Sequence, residues 1–448
     1  MAWYRKESNM NISGVWNYYD RVRGLLDQQT IFDISVYALL FKKAEIDKIK
    51  AYKEQYSLSF LSIVYGERVS SNDLVGYIKE IEEEYGIQDG ILSESFSSIA
   101  SRVTDAGKVK AVFNTMYGMK IESKEDLMIV YDGMVNSFGV TGGRMQTESG
   151  TTRSLAKLEA VLLNAGEGEE IYDGYCGLGI SLVEAGNSTN RYYIRDINRD
   201  VLAKAVISLI VHDRKIESAI CGDSNIEDER KFDNAISEPP FNVRKDPKYL
   251  SSADPEGKII CSNSLEIERI IGSLKQDGRA VILVPAGLLF SGGKVAEFRR
   301  YLIGKYMIDN SLVDAVVGLP TGVLPGTLVN AMLLVINKGK KDNNILMVNS
   351  ESFWHVLKSR ELTLGQDGID ALKDIVLSRK VIDSVSTMVT PEDIIDKDMN
   401  MSPNIYVNPY KIEDAKVEDV KNLYDKEKAL LNEFDKINSA LLKIRAED

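Results

Sequence analysis

Carboxylates that follow short apolar runs and sit beside glycines are the residues of this sequence best suited to hold a ligand. The run Ile171-Tyr172-Asp173 ends in an acid and passes through Gly174, Cys176, Gly177 and Gly179 before the next apolar stretch. Glycines let the backbone approach a ligand, and a helix opening after such a turn presents unpaired N–H groups. A glycine turn can equally serve helix packing alone. A second run, Tyr192-Tyr193-Ile194-Arg195-Asp196, ends in an acid 23 residues after Asp173, where a carboxylate can accept hydrogen bonds from a ribose diol. Asp223, in Gly222-Asp223-Ser224, follows a third run; it either borders the base of a nucleoside or merely caps a helix or closes a turn. Three successive acids at strand ends point to a nucleoside cofactor.

The spacing of Asp173, Gly177 and Gly179 departs from the GxGxxG of dinucleotide folds and is similar to an S-adenosylmethionine turn. The candidate cofactor residues are therefore Asp173, Gly174, Cys176, Gly177, Gly179, Asp196 and Asp223. One strand later comes Phe232-Asp233-Asn234-Ala235-Ile236-Ser237-Glu238-Pro239-Pro240-Phe241. Two prolines after an apolar strand fix a rigid turn that can hold a carbonyl acceptor and a stacking ring in place. Other chemistry is poorly supplied. Only His212 and His355 are present, which leaves little for a His-rich metal site or a Ser-His-Asp triad. Cys176, Cys221 and Cys261 form neither a disulfide framework nor a CxxC metal signature, and a reducing compartment fits them.

These groups need a scaffold at their backs, and the apolar periodicity supplies one. From Ser13 to about Glu125 apolar residues recur at helical spacing, as in Val15, Tyr18, Tyr19, Val22, Leu25 and Leu26, which predicts an all-helical N-terminal domain. From Glu170 short apolar runs alternate with helical stretches, the pattern of βαβ units around a parallel, doubly wound sheet. The predicted strands are Glu170 to Asp173, Arg191 to Asp196, Ser218 to Cys221, Asn234 to Ser237, Ala280 to Pro285, Leu312 to Val317 and Ala331 to Asn337. Gly318 to Asn330 reads as a loop or hairpin joining the last two. Beyond Val348 the segments are mixed and less periodic. Lys411 to Ala446 then carries an apolar stripe (Val417, Val420, Leu423, Leu430, Leu431, Phe434, Ile437, Leu441, Ile444) that must pack on this chain or on a partner. The expected division is a helical domain at 1–125, an α/β catalytic domain at 126–408 and a C-terminal helical docking segment at 409–448.

The Glu238-Pro239-Pro240-Phe241 turn resembles the fourth motif of amino-methylating DNA methyltransferases, in which Asn, Asp or Ser precedes two prolines and an aromatic. The resemblance narrows to the modification subunits of type I restriction-modification systems, which are N6-adenine DNA methyltransferases. It is carried by Val15-Trp16-Asn17 with Asp20, Arg23, Gly24 and Asp27, by Gly278 to Phe290 and Phe298 to Leu302, by Gly318 to Thr327, and by Asp398 to Val407. Two places depart from the family pattern. Glu238 stands where these subunits have Asn or Asp, and Gly143 to Glu148 keeps Thr147 but lacks the aromatic and the proline that close over the cofactor.

The resemblance implies a class I S-adenosylmethionine-dependent methyltransferase, Rossmann-like, that transfers methyl to a flipped adenine in DNA. Glu238 and the carbonyl of Pro239 would accept hydrogens from N6, Pro240 would fix the turn, Phe241 would stack on the base, and Thr147 would join the cofactor site. It also implies a specificity subunit docked through the C-terminal helix, a restriction subunit, and a second copy of this chain in the complex. The formal charge of −12 is poorly suited to gripping phosphates, so positive surface would come from the partner. A competing reading is a catalytically impaired methyltransferase-fold subunit, a cofactor- or partner-binding component of a DNA-binding complex. No apolar run approaches the length of a bilayer span. Arg5, Lys6 and Glu7 have no apolar run behind them, so a cytoplasmic protein is expected.

Overall fold

The structure is a computed structural model that describes residues 14–15, 17–48, 71–141, 151–225, 229–241, 263–293, 295–296, 312–324, 327–357, 362–407, 424, 426–430 and 434. Residues up to Val407 form one compact unit, and Asn408 to Asp448 form a second.

The first unit opens with helices α1 (Gln28–Ile46), α2 (Ser71–Tyr85), α3 (Ile91–Arg102), α4 (Ala106–Tyr117) and α5 (Lys124–Thr141). Asp27 starts α1 by accepting from the Thr30 N–H at 2.9 Å. From Ile31 to Phe41 every residue of α1 is buried, including the polar Asp33 and Ser35. A helix covered all round must be central, and α1 packs against α3, α4 and α5 and also against α8 (Arg199–Val211), which lies between two strands of the sheet. The helical part therefore shares one hydrophobic core with the α/β part. Ion pairs cross the same boundary. Lys204 of α8 meets Asp33 of α1 at 2.8 Å with both side chains buried, and the fully buried Lys43 meets Asp213 at 2.5 Å.

The central sheet contains β1 (Glu170–Asp173), β2 (Arg191–Asp196), β3 (Lys215–Cys221), β4 (Phe232–Ser237), β5 (Leu274–Pro285), β6 (Val313–Gly318), β7 (Ala331–Asn337), β8 (Ile345–Asn349) and β11 (Ser386–Val389). Their spatial order is 11-8-6-7-5-4-1-2-3, and β9 (Trp354–Val356) pairs separately with β10 (Leu362–Leu364). Strands 3-2-1-4-5 are parallel, but β7 runs antiparallel to both β5 and β6. The sheet is thus mixed rather than parallel. The Gly- and Pro-containing connection from β6 to β7 has no crossover helix among its described residues, and parallel neighbours need one. The two faces are read from the period of two: Val281 and Leu283 of β5 enter the core shared with the helical part, while Ala280, Ile282 and Val284 enter a second core on the other face.

Helix α6 (Arg153–Leu163) precedes β1, α7 (Ile180–Glu184) follows it, and α9 (Ser264–Gly272) and α10 (Ala286–Phe290) flank β5. Helix α11 (Gln366–Leu377) packs on α6. Helix α12 (Pro391–Asp396) opens on a capping box between Thr390 and Asp393. β8, β9, β10 and β11 were not expected from the sequence. In the second unit, residues 424, 426–430 and 434 are helical, with Tyr424, Leu430 and Phe434 exposed; the rest of Lys411 to Ala446 lies outside the described residues. Among the described residues no helix is long and apolar enough to cross a membrane.

Candidate active site

The chain passes from β1 to β2 to β3 on one side and then returns to place β4 on the other side of β1, so the strand order reverses between β1 and β4. Ligands of open α/β sheets bind outside the carboxyl ends of strands at such a reversal. The predicted acids and the Pro-Pro turn meet at that edge.

Asp173 ends β1 as a buried carboxyl whose Oδ1 accepts from the Tyr175 N–H at 2.9 Å and from Ser237 Oγ at 3.3 Å. This ties the end of β1 to the end of β4. Burial, together with the charges of Glu238 and Asp196, holds the Asp173 carboxyl well above the usual carboxylate range, despite its bond from Tyr175. The turn that follows needs its glycines. Gly177 and Gly179 have φ of 52° and 74°. A Cβ on Gly179 would lie 3.3 Å from the Ala205 Cα of α8, and one on Gly174 would lie 2.7 Å from the Tyr172 hydroxyl. The turn therefore serves helix packing as well as shaping the edge of the sheet.

Asp196 ends β2 with Oδ2 accepting from the Gly177 N–H at 3.2 Å and Oδ1 from the Asn198 N–H at 2.8 Å. Burial raises its carboxyl above the ordinary range. The Cys176 N–H donates to Arg195 O at 3.1 Å and the Cys176 side chain enters the core, where burial pushes its thiol up. Asp223 closes a turn, its Oδ1 accepting from both the backbone and the side-chain nitrogen of Asn225 at 2.9 Å. Thr147 lies outside the described residues, as do Trp16, Cys261 and 298–302.

In the proline turn, Pro239 is buried, Pro240 is exposed with its carbonyl accepting from Asn263 Nδ2 at 3.1 Å, and Phe241 leans half-buried on the core. Glu238 turns its carboxylate inward. Its Oε1 accepts from the hydroxyl of Thr151, just before α6, and from Ser181 Oγ of α7 at 2.8 Å. Ser181 Oγ also meets Oε2 of Glu159 on α6 at 2.8 Å. Burial raises the Glu238 carboxyl, and burial with the Glu238 charge raises that of Glu159 further. Thr151, Glu159 and Ser181 escaped the reading of the sequence. The only signal was a glutamate among the buried apolar positions of α6 (Leu155, Ala156, Leu158, Ala160, Leu162). Ile197, 73% exposed directly after Asp196, was also overlooked.

A sequence profile of N-6 DNA methylases matches residues 122–415. The chain belongs to the N-6 DNA methylase family. Among relatives of this family, the methylase subunit of the type I restriction enzyme MjaVIII of Methanocaldococcus jannaschii is 25% identical over 334 residues, which cover 68% of this chain and 56% of that subunit. The MpnII methylase subunit of Mycoplasma pneumoniae is 22% identical over 382 residues, covering 73% and 68% of the two chains. The alignment thus spans little more than half of the MjaVIII subunit. In three dimensions the chain is similar to the type I restriction-modification methyltransferase subunit of Streptococcus thermophilus, with a TM-score of 0.70, 19% identity, and coverage of 90% and 100%. The fold, a large mixed sheet with helices on both faces, is shared with that methyltransferase subunit, and the α/β class is as expected. Membership of an N-6 DNA methylase family favours a methyltransferase over the non-catalytic reading.

Proposed function

We propose that this chain is the adenine-N6 DNA methyltransferase subunit of a type I restriction-modification system. The observation that carries the reading is the convergence of the glycine turn, Asp196 and Glu238-Pro239-Pro240-Phe241 at the reversal between β1 and β4, in a chain matched by the N-6 DNA methylase profile.

The residues fit S-adenosylmethionine. Each oxygen of Asp196 accepts one backbone N–H, and a carboxylate oxygen has a further lone pair for a ribose hydroxyl. Exposed Ile197 beside it offers apolar surface that a purine can cover. The glycine backbone of 174–179 admits no side chain at Gly174 without displacing Tyr172. When bound, the cofactor supplies an electrophilic methyl group. The chain's own work is then positioning and electrostatics. Glu238 and the Pro239 carbonyl accept hydrogens from the amine of a flipped adenine, Pro240 rigidifies the turn, and Phe241 stacks on the base. Thr147 belongs to the same cofactor site in this reading. Asp173 fixes the end of β1 to β4 and so sets the distance between the two half-sites.

We assign residues 1–125 to a helical domain, 126–408 to the catalytic domain and 409–448 to docking on a specificity subunit. That partner supplies target recognition and the positive surface missing from a chain of net charge −12. A restriction subunit and a second copy of this chain complete the assembly, in the cytoplasm. The test is transfer of labelled methyl from S-adenosylmethionine to adenine N6 in DNA by the chain copurified with its specificity subunit. Methylated adenine is the expected product. Cofactor binding with no transfer to any DNA would overturn the reading.

A further inference from the structure

A proton count at Glu238 leads to a residue beyond the family motif. Ser181 Oγ lies 2.8 Å from Glu238 Oε1 and 2.8 Å from Glu159 Oε2. A hydroxyl has one hydrogen, so it can donate to only one of these carboxyl groups. The other contact is a hydrogen bond only if that carboxyl carries a proton of its own. Were both carboxyls ionised, one carboxylate oxygen would face the Ser181 oxygen with no proton between them, beside a Glu159 that is 1% exposed. Thr151 already donates to Oε1 of Glu238. Glu238 therefore gathers donors as an ion, while Glu159 sits with its other oxygen, Oε1, buried and without a donor.

We propose that Glu159 is a positioning residue for Glu238: its protonated carboxyl, with the Ser181 hydroxyl, locks the glutamate at the head of the Pro-Pro turn into one singly charged geometry. Burial and the nearby charge of Glu238 both hold the Glu159 proton on, and the two groups titrate as a pair. The charge of Asp173 of β1 also reaches Glu159 and pushes in the same direction. A glutamate is one methylene longer than the family's Asn or Asp. Here the added length is taken up inward, toward α6 and α7, rather than projecting into the space for the base. Glu159, Ser181 and Glu238 then form a single unit spread over three elements of the sequence. The proposal rests on the methyltransferase reading for its effect on rate, but not for the shared proton.

The experiment uses the chain copurified with its specificity subunit and compares Glu159→Gln with Glu159→Leu. The glutamine amide donates as the protonated acid does, whereas leucine cannot. Glu159→Leu is expected to lower kcat on the order of tenfold to a hundredfold, leaving the calorimetric Kd for S-adenosylmethionine within about threefold, a change worth less than 1 kcal/mol. Glu159→Gln should recover most of that loss. Independently of activity, infrared difference spectra at neutral pH should show a protonated-carboxyl C=O band in the unaltered protein that disappears in Glu159→Gln. Equal loss of kcat in both variants with cofactor binding intact, or no protonated-carboxyl band, overturns the proposal. A band together with no transfer by the unaltered complex supports the shared proton and overturns the functional reading alone.

Discussion

Replacing Lys204 by methionine should destabilise the whole first unit, not only the helix that carries it. The Lys204 ammonium lies 2.8 Å from Asp33 Oδ1, with side-chain exposures of 7% and 4%, so its loss strands a carboxylate inside a core. Breaking a buried pair by removing one partner typically costs about 3–5 kcal/mol. Asp33 keeps one other donor, Gln29 Nε2 at 2.7 Å, and a hydrogen bond to a charged group returns about 1.5–3 kcal/mol of what an orphaned ion would lose. The lower end of the range, about 3 kcal/mol, is therefore expected. Replacing both residues, as Asp33→Leu with Lys204→Met, removes the stranded charge and should restore stability to within about 1 kcal/mol of the starting protein. Urea unfolding followed by circular dichroism measures both, and the double-mutant cycle isolates the coupling. The transition should stay single in every variant, because α1 and α8 share one core. A cost below about 1 kcal/mol for Lys204→Met, or a double variant as unstable as the single, would refute this account of the boundary.

Other perturbations read the site itself. Gly179→Ala places a Cβ in left-handed backbone, at a cost of about 1–2 kcal/mol, and 3.3 Å from the backbone of Ala205; a lower urea midpoint is expected, and an unchanged one would mean that the turn relaxes freely. Asp196→Ala removes the carboxylate that accepts from Gly177 and Asn198, and calorimetry should show S-adenosylmethionine binding weakened on the order of tenfold or more, the value of one charged hydrogen bond. Glu238→Asn, which installs the family's residue, should lower methyl transfer, since the shorter side chain cannot reach Ser181 and strands Glu159; a gain in rate would show that Glu159 plays no such part. The pH dependence has a definite sign. The Glu159 carboxyl is raised by burial first and by Glu238 and Asp173 next, so the folded state favours its protonated form. That stabilising contribution is complete at pH below the ordinary glutamate range and is lost as pH rises through the raised folded value. Arg153, at the head of α6, is paired with Asp132 and Glu184, and Ser181 faces the pair from α7 without a charge. Stability measured against pH should therefore fall on the alkaline side in the unaltered chain and fall less in Glu159→Gln.

The parts of this fold that could be read in advance are those where one residue type has one structural meaning. β1, β2 and β7 span the predicted Glu170 to Asp173, Arg191 to Asp196 and Ala331 to Asn337, because a short apolar run bounded by polar residues has the length of a strand and not of a helix. β5 begins at Leu274, earlier than Ala280, since Lys275, Gln276 and Asp277 look like a loop but continue the strand at its exposed end. β8 is five buried residues across the point where periodicity fades, too short to separate from a helix segment by pattern alone. Direction was not legible either: Ala331 to Asn337 reads the same whether it runs parallel or antiparallel to β5. At the site, Asp173, Asp196 and the Glu238 turn announced themselves by position after strands, whereas Glu159 and Ser181 acquire meaning only when α6, α7 and the proline turn are brought together.

The cover on α1 has a bearing on how the chain is made. Translation delivers α1 long before α8, the element that closes over one of its sides. During that interval a helix whose middle is made to be buried on every face has only its helical neighbours for shelter, and exposed apolar surface of this kind draws chaperones or aggregates. The helical segment is thus a client waiting for the catalytic domain, and a gene fragment that stops short of α8 is expected to yield a product prone to aggregate.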